Sequence, residues 1–240
     1  MPLTPHVREP SGNQLLDALP AASRSRLLAK LRRTRVQRRQ VLQEPWQPVE
    51  HVYFPLTGVI SLVTVLRDGG TVETATIGSE GMVGIHAALA GGPLANGQAV
   101  GQVPGEAHVM EADAFRVEVD GDRQLRDLLL VYLQALFAQI SQAVACNGVH
   151  EIEQRTAKWL LQTHDRVHRD TFLLTQELLA QMLGVTRPSV TVAARTLQQA
   201  GLIRYWRGQI TVLDRAGLEE AACECYQVTR EAYERLIAPP

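Results

Sequence analysis

The chain has 240 residues, 45% of them hydrophobic, and a formal net charge of −1 at pH 7. This composition is typical of a globular protein with one large or two small domains, and a charge so close to zero does not by itself predict a polyanionic partner. We find neither a signal-peptide pattern nor a run of about 18 apolar residues, so we expect a cytoplasmic protein. The three cysteines, Cys146, Cys223 and Cys225, are too few for a disulfide framework.

Leucines at helical spacing predict a helix from about Gln14 to Val36. This helix includes most of Ala18–Gln43, a segment with eight basic residues and no acidic one. A phosphate contact is one interpretation of that charge. We favour a solvated helix, since the leucines would face inward and the arginines outward.

Short β-rich runs separated by turn residues follow from Val41 to about Ala112. The run HVYFPLTGVISLVTVL leads to Asp68-Gly69-Gly70, and TVETATIG follows directly, which predicts a hairpin with an Asp-Gly turn. Gln98–Val103 and Ala107–Met110 are further predicted strands. This part of the chain is therefore expected to form an antiparallel sandwich or jelly roll.

A long amphipathic helix is predicted from about Asp122 to Asn147. Its apolar stripe is wide enough to bury one side on its own domain and another elsewhere. A second copy of the helix is the expected partner, through coiled-coil-like packing, and a core helix of a monomer is the alternative. The predicted dimer interface consists of Leu125, Leu129, Leu133, Leu136, Ile140 and Ala143.

Asn147-Gly148 predicts a break after this helix, with Gly148 as the hinge. Another helix is expected from His150 to about Val167. It carries Arg155, whose partner, DNA backbone or protein, the sequence leaves open.

The segment TQELLAQMLGVTRPSVTVAARTLQQAGLIRYWRGQITVLD, which begins at Thr175, predicts a winged helix-turn-helix. Thr175 can cap a short helix, Gly184 can make the tight turn, and Val185 can fill the space between the two helices. The run LIRYWRGQITVL predicts a two-stranded wing with Arg207-Gly208 at its tip. Such a domain lays its second helix in the DNA major groove.

The second helix has a clear start and stop, with Thr186 as N-cap residue, Pro188 in the first turn and Gly201 at the end. Arg187, Thr191 and Arg195 are spaced four apart on one face. Arginine reads guanine with two hydrogen bonds, while serine and threonine can contact a base or a phosphate. The alternative is a solvated face in a protein-binding domain. The predicted DNA-binding residues are Thr175, Gln176, Thr186, Arg187, Pro188, Ser189, Thr191, Val192, Arg195 and Arg207.

Taken together, these elements predict an α+β chain with an N-terminal antiparallel β-roll (jelly roll), a long dimerisation helix and a C-terminal winged helix-turn-helix. The expected domain bounds are 1–120 for a sensor domain, 121–147 for the dimerisation helix and 148–240 for the DNA-binding domain.

This order of elements resembles the Crp/Fnr family of bacterial transcription regulators over nearly the whole chain. The resemblance is carried by LLAQMLGVTRPSV, by the long helix and by the GSEGMVG turn at 78–84. It implies a cyclic-nucleotide-binding-like roll and a homodimer on a palindromic operator in double-stranded DNA. It also implies altered recruitment of RNA polymerase according to a small-molecule effector, which the sequence does not identify. Such a protein is not an enzyme and has no membrane partner.

The segments that bind cyclic nucleotides in that family are altered here. Those members use a Gly-Glu-x-Gly segment for the ribose and an arginine for the phosphate. Met82 stands where the glutamate is expected, and Gln98 stands where the arginine is expected. A neutral amide cannot replace a guanidinium, so we do not expect cyclic AMP to bind in the usual way. The candidate effector-pocket residues are Glu80, Gly81, Met82, Gly84, Gln98 and Ala99.

The sequence offers little support for a metal or haem sensor and does not identify a cofactor. An iron–sulfur member of the family would need an N-terminal cysteine cluster, but no cysteine precedes Cys146. We interpret the three cysteines as ordinary buried or half-exposed thiols, since Cys223 and Cys225 are expected in a separate domain. No metal site is predicted. The histidines that could act as ligands are expected to be ordinary surface or core residues; these are His51, His86, His108, His164 and His168.

Two functions from other classes fit the sequence less well. A cyclic-nucleotide-binding regulatory protein without DNA contact conflicts with the missing arginine and the winged helix. A jelly-roll metal-binding protein or enzyme would use clustered His-x-His ligands, which the chain lacks. No nucleophile elbow, phosphate-binding loop or His-Glu-x-x-His motif is found either.

Overall fold

The computed structural model describes residues 10–67, 69–89 and 94–237. Its N-terminal half contains α1 (Gln14–Asp17), α2 (Ala21–Leu28), β1 (Arg32–Val36), β2 (Val41–Gln43), β3 (His51–Pro55), β4 (Val59–Val65), β5 (Thr71–Ile77), α3 (His86–Leu89), β6 (Gln98–Val103), β7 (Gly105–Glu111) and α4 (Ala112–Gly121). Its C-terminal half contains α5 (Arg123–Val149), α6 (Ile152–Val167), β8 (Thr171–Leu173), α7 (Gln176–Leu183), α8 (Arg187–Gln199), β9 (Ile203–Trp206), β10 (Gln209–Val212), α9 (Arg215–Ala221) and α10 (Cys225–Ile237).

Two antiparallel sheets form the predicted β-roll. One has the strand order β1-β7-β3 and the other β2-β6-β4-β5. Phe54 of β3 and Phe115 of α4 are fully buried with their ring centroids 5.7 Å apart, so α4 closes one face of the roll. The α+β fold class, with an N-terminal roll, a long helix and a C-terminal helix-turn-helix, is confirmed.

The strand predictions hold, with one refinement. β6 has the predicted bounds, and β4 pairs with β5 from Ile60↔Ile77 to Val65↔Thr71, as a hairpin requires. Asp68, the predicted turn residue, lies outside the described residues. The run expected as one strand divides at Gly58 into β3 and β4, because Gly58 has φ 81° and turns the chain from one sheet to the other.

The N-terminal helix prediction is only partly right. Pro20 precedes α2 and separates it from α1, and the chain from Arg32 to Val36 is a strand that pairs with β7. Arg26 of α2 and Lys30, which follows the helix, form ion pairs with Glu118 of α4. The basic segment is therefore only partly helical, and its ion pairs to Glu118 connect the region of α2 to α4.

The predicted hinge at Gly148 is wrong. α5 continues through Gly148 to Val149, and the chain turns extended at His150. Glu151 and Gln154 form a reciprocal capping box that starts α6. The break between α5 and α6 is therefore determined by the N-terminal cap of α6 and not by Gly148.

The apolar stripe of α5 has two faces in the structure. Leu125, Leu129 and Leu136, three of the predicted interface residues, are buried in the chain's own core. Leu133 stays 39% exposed, and Ile140 and Ala143 are half-buried. The outward face, called the α5 seam below, consists of Leu130, Leu133, Phe137, Ile140 and Val144.

By length and composition, α5 could cross a membrane, since it has 27 residues and a window with mean hydropathy of 1.6. The helix has no unbroken run of about 18 apolar residues, since Gln134 and Gln139 interrupt it. Its high mean hydropathy reflects the double burial demand on α5, because apolar side chains occupy both its core face and its outward face.

Candidate nucleic-acid interface

The winged helix-turn-helix has the predicted parts, with an additional strand, β8, at the edge of the wing. Thr175 caps α7 by accepting the backbone N–H of Leu178 at 3.2 Å. Gly184 ends α7 with φ 64°, the left-handed turn that glycine adopts without strain. Val190 and Leu197 are buried and pack α8 against the hydrophobic core of the domain.

The N-terminal end of α8 projects from the domain. Thr186 is the N-cap residue, and Arg187 and Pro188 form the start of the helix, all three exposed. The Thr186 side chain does not cap the helix; its hydroxyl lies 2.9 Å from that of Ser189. Both hydroxyls keep hydrogen-bonding capacity for a ligand, since each oxygen has two lone pairs.

Arg187, Val192 and Arg195 form the solvent face of α8, and Val192 is 59% exposed. Thr191 differs from them because it is half-buried. Its hydroxyl lies 2.9 Å from the Gln176 side-chain oxygen and 3.0 Å from the Arg187 carbonyl, and can donate to either. Gln176 and Thr191 therefore connect α7 to α8, whereas the two arginines and Val192 are free to touch a partner.

The wing turns at Arg207-Gly208, as predicted. Their φ values of 46° and 76°, with Trp206 paired to Gln209, make a two-residue hairpin turn. The Arg207 guanidinium carbon lies 5.3 Å from the centroid of the Trp206 ring, which is 66% exposed. The predicted site residues did not include Trp206 and Arg204. Both are exposed on β9, and the period-two alternation of a strand places them on the face opposite Ile203.

The electrostatics of this surface suit a polyanion. Arg187, Arg195, Arg204 and Arg207 are all exposed. None of the four forms an ion pair with any residue that the structure describes. Glu177 is the only acidic residue from 171 to 213. Four exposed guanidinium groups without an acidic partner among the described residues give the domain a positively charged surface, the kind that attracts phosphates.

The side of the domain away from this surface is attached to the β-roll. Trp159 of α6 donates its indole N–H to the Glu73 carboxylate of β5 at 2.8 Å. Arg166 of α6 pairs with Glu80 at 2.8 Å and also donates to the Thr76 carbonyl at 3.2 Å. Arg155, whose partner the sequence left open, donates to the Leu183 carbonyl and the Asn147 side chain, so it is a structural residue.

The candidate effector-pocket residues are not brought together in one cavity. Met82 is fully buried, Ala99 is in the core, and Gly81 and Gly84 are buried beside Tyr132 and Val52. Glu80 is paired with Arg166, and Gln98 donates to Glu44 at 2.9 Å on the surface.

A cavity of about 630 Å³ instead lies between the roll, α6 and α10. Of the six candidates, only Glu80 lines it. The other lining groups include Asp165, Arg166, Arg230 and Tyr233.

The histidines considered as ligands do not belong to a group of three or more metal-ligating residues within the part of the chain that the structure describes. His51 contacts Glu111 at 2.9 Å, and burial lowers the pKa of His86 and of His108. His164 contacts Asp170 and Arg215, whereas His168 is exposed in a left-handed conformation.

The cysteines, in contrast, are brought together. Cys146, Cys223 and Cys225 form one buried cluster with His150 next to it. The expected placement in a separate domain does not keep Cys223 and Cys225 away from Cys146, because α10 packs along α5.

Two family models match the chain. The Crp-like helix-turn-helix domain matches residues 154–221, and the cyclic nucleotide-binding domain matches residues 33–121. Comparison with curated protein sequences finds no match.

Solved structures share the fold at low identity. FixK2 from Bradyrhizobium japonicum is 17% identical, with 80% of this chain and 98% of that chain covered and a TM-score of 0.66. A putative transcriptional regulator of the Crp/Fnr family from Eubacterium rectale is 15% identical, with 92% and 100% covered and a TM-score of 0.67. The c-di-GMP responsive global regulator CLP of Xanthomonas campestris is 16% identical, with 80% and 99% covered and a TM-score of 0.64.

The regulators of this family bind DNA, form dimers and act in the cytoplasm, and they are not enzymes. The two matched domains stand in the family's order, with the long helix between them. The chain therefore belongs to the Crp/Fnr family of transcription regulators.

Proposed function

We propose that two copies of this chain bind a palindromic operator in double-stranded DNA, with one α8 helix in each of two major grooves. The observation that carries this proposal is the exposed face of α8, where Arg187 and Arg195 have no acidic partner among the described residues. Ser189 and Arg207 flank that face and are suited to phosphate contacts. DNA binding near a promoter would then alter the recruitment of RNA polymerase.

The α5 seam supports the dimer. Its residues follow spacings of three, four, three and four along the helix, which is the a/d pattern of a coiled coil. Phe137 and Val144 are 71% and 70% exposed, and Leu130 is 46% exposed. A 27-residue helix is about 40 Å long, enough for several layers of paired side chains. A second copy offers the same apolar stripe and would remove the seam from water.

We propose three functional units for the chain: residues 1–120, the helix from 121 and the DNA-binding domain that extends to 240. The predicted helix boundary at 147 is moved to 149, where α5 ends. The protein would act in the cytoplasm as a regulator without catalytic activity, in keeping with its family.

We do not expect the roll to bind cyclic AMP in the usual way. Met82 is fully buried with its carbonyl bonded to the Tyr132 hydroxyl at 2.8 Å, so it cannot act as a ribose ligand. The Gln98 side-chain amide donates a hydrogen bond to the Glu44 carboxylate. A small-molecule effector would have to use other contacts.

Selection of binding sites from random duplex DNA, followed by mobility shifts, tests the proposal. The selected sequence should bind at least about 10³-fold more tightly than a scrambled duplex at physiological salt. Both affinities should fall as salt is raised, because phosphate contacts release counterions. Equal affinity for selected and scrambled DNA, or no binding to either, would contradict the proposal.

A further inference from the structure

The three cysteines and His150 meet at the junction between the long helix and the DNA-binding domain. Cys146 lies in the last turn of α5, and His150 is its C-cap residue. Cys223 and Cys225 lie around the connection from α9 to α10. One ligand atom from each of the four residues lies within 4.8 Å of all the others.

The spacing of these atoms is that of a tetrahedral metal site. With zinc–sulfur bonds of about 2.3 Å and a zinc–nitrogen bond of about 2.0 Å, tetrahedral angles place two sulfurs about 3.8 Å apart and sulfur and nitrogen about 3.5 Å apart. The Sγ atoms of Cys146 and Cys223 are 3.6 Å apart. The Cys225 Sγ and the His150 Nδ1 are 3.4 Å apart.

The surroundings are suited to thiolate ligands. All three cysteines are buried, which excludes bulk water from the cluster. Gln142 donates to the Cys225 Sγ at 3.1 Å, and the Lys158 ammonium donates to the Cys146 Sγ at 3.5 Å. Three thiolates and a divalent cation carry a net charge of −1, which Lys158 neutralises. Hydrogen-bond donors of this kind orient metal ligands and stabilise their charge.

We propose that Cys146, His150, Cys223 and Cys225 bind a single thiophilic divalent cation, with Zn²⁺ as the best fit. A set of three sulfurs and one imidazole matches structural zinc sites, whereas Mg²⁺ and Ca²⁺ prefer oxygen ligands. On binding, each cysteine that is still protonated releases its thiol proton to the buffer, and no electron is transferred.

The position of this site indicates a structural role. The four protein ligands leave no open coordination position, as in closed structural zinc sites. Its ligands come from the end of α5 and from the start of α10, while Lys158 belongs to α6, the first helix of the Crp-like domain match. A bound ion would therefore tie the dimer helix to the DNA-binding domain and fix the angle between them.

Metal analysis of the full-length protein tests the proposal. The protein would be purified under reducing conditions, saturated with Zn²⁺ and separated from free metal before elemental analysis. We expect one zinc per chain and protection of all three thiols from a thiol reagent until a chelator is added. Cobalt substitution should give the absorption of tetrahedral Co²⁺ with thiolate charge transfer, a readout that requires no mutation.

Matched variants test the assignment of ligands. Cys223→Ser, Cys225→Ser and His150→Asn should each lose stoichiometric zinc and should show a lower melting temperature than the zinc-bound wild type. His168→Asn is the control and should retain one zinc, since His168 is exposed and asparagine tolerates its left-handed backbone. If a variant does not fold, the cobalt spectrum of the wild type still shows whether thiolates bind the metal in a tetrahedral site. Absence of zinc after saturation, a Cys146–Cys223 disulfide that persists under reduction, or full zinc retention in the folded ligand variants would overturn the proposal.

Discussion

Arg187 is the residue of α8 best placed to read a base. Thr186 takes the N-cap position, so Arg187 belongs to the first turn, next to Pro188, and its side chain is exposed. Arg207, at the tip of the wing, stacks on Trp206 and is better suited to a phosphate. The two arginines therefore have different expected roles.

Substitution of each arginine by alanine separates these roles. Arg187→Ala should cost about 1–3 kcal/mol on the selected operator and relax the preference at one base pair. Arg207→Ala should weaken binding to all sequences alike and lower the salt slope by about one. Fluorescence anisotropy on selected and scrambled duplexes at two salt concentrations measures both effects. An equal loss on both duplexes for Arg187→Ala would show that it is a phosphate contact.

Glu73 is a pH-sensitive residue between the roll and α6. Burial raises the pKa of its carboxyl to about 7, despite hydrogen bonds from Ser61 and Trp159 and the nearby charges of Arg166 and Lys158. A raised pKa means that the folded state holds the proton more tightly than the unfolded state does. The stability contributed by Glu73 is therefore complete below about pH 4.5 and is lost as the pH rises through 7.

Glu73→Gln should remove this pH dependence. The amide oxygen can still accept from Trp159, and the variant carries no charge at any pH. Its free energy of unfolding should exceed that of the wild type by an amount that grows from pH 5 to pH 8, to at most about 3 kcal/mol. Urea unfolding at intervals of one pH unit measures this difference. Parallel pH profiles for the two proteins would refute the assignment.

At the scale of elements, the α5 seam leads to a prediction about assembly. Phe137→Glu combined with Val144→Glu places two charges per chain in the proposed interface, so the variant should be monomeric and bind the operator weakly. Sedimentation velocity measures the assembly state. Gln124→Glu, at an exposed position of the same helix, should remain dimeric. A monomeric wild type, or a double variant that still forms dimers, would contradict the proposal that the α5 seam is the dimer interface.

Local sequence signals predicted the winged helix-turn-helix well, because its turns depend on single residues. Gly184, Thr175 and Arg207-Gly208 each act within a few residues of their position. The outward face of α5 could not be predicted in the same way. Leu129 and Leu130 are equally apolar neighbours, and only the roll and α10 determine that Leu129 is the buried one.

Other errors have the same origin in distant contacts. The leucine spacing before Arg32 indicates a helix, but pairing with β7 makes Arg32–Val36 a strand. Cys146 and Cys223 are 77 residues apart in the sequence, and only the packing of α10 on α5 brings them together. The break after α5 is set locally, by Glu151 and Gln154, but glutamate is not among the preferred N-cap residues and gave no signal in the sequence.

For the whole molecule, the relevant feature is the buried polar network between the two domains. Arg166 pairs with Glu80, Gln139 of α5 donates to the Thr76 carbonyl at 3.1 Å, and Tyr233 of α10 donates to Gln139 at 2.8 Å. The network connects the roll, α5, α6 and α10. It gives the DNA-binding domain a fixed position relative to the roll.

Arg166→Met should loosen this attachment, because it leaves the Glu80 carboxylate without its cation. Loss of one partner from a buried ion pair costs about 3–5 kcal/mol. Urea unfolding measures the loss, and limited proteolysis should cut the variant faster between the domains. Arg169→Met, at an exposed position, should behave as the wild type does, and Glu80→Gln with Arg166→Met should recover part of the loss. Wild-type stability in Arg166→Met would contradict the role of the network.

DNA reading by a dimer through two α8 helices is tested most directly by the stoichiometry and footprint on the selected operator. We expect two chains per duplex and two protected half-sites, centred one helical turn of about 10–10.5 base pairs or a multiple of it apart. Sedimentation of the complex gives the stoichiometry, and chemical footprinting gives the half-site spacing. One chain per duplex, or a single protected site without symmetry, would contradict DNA reading by a dimer.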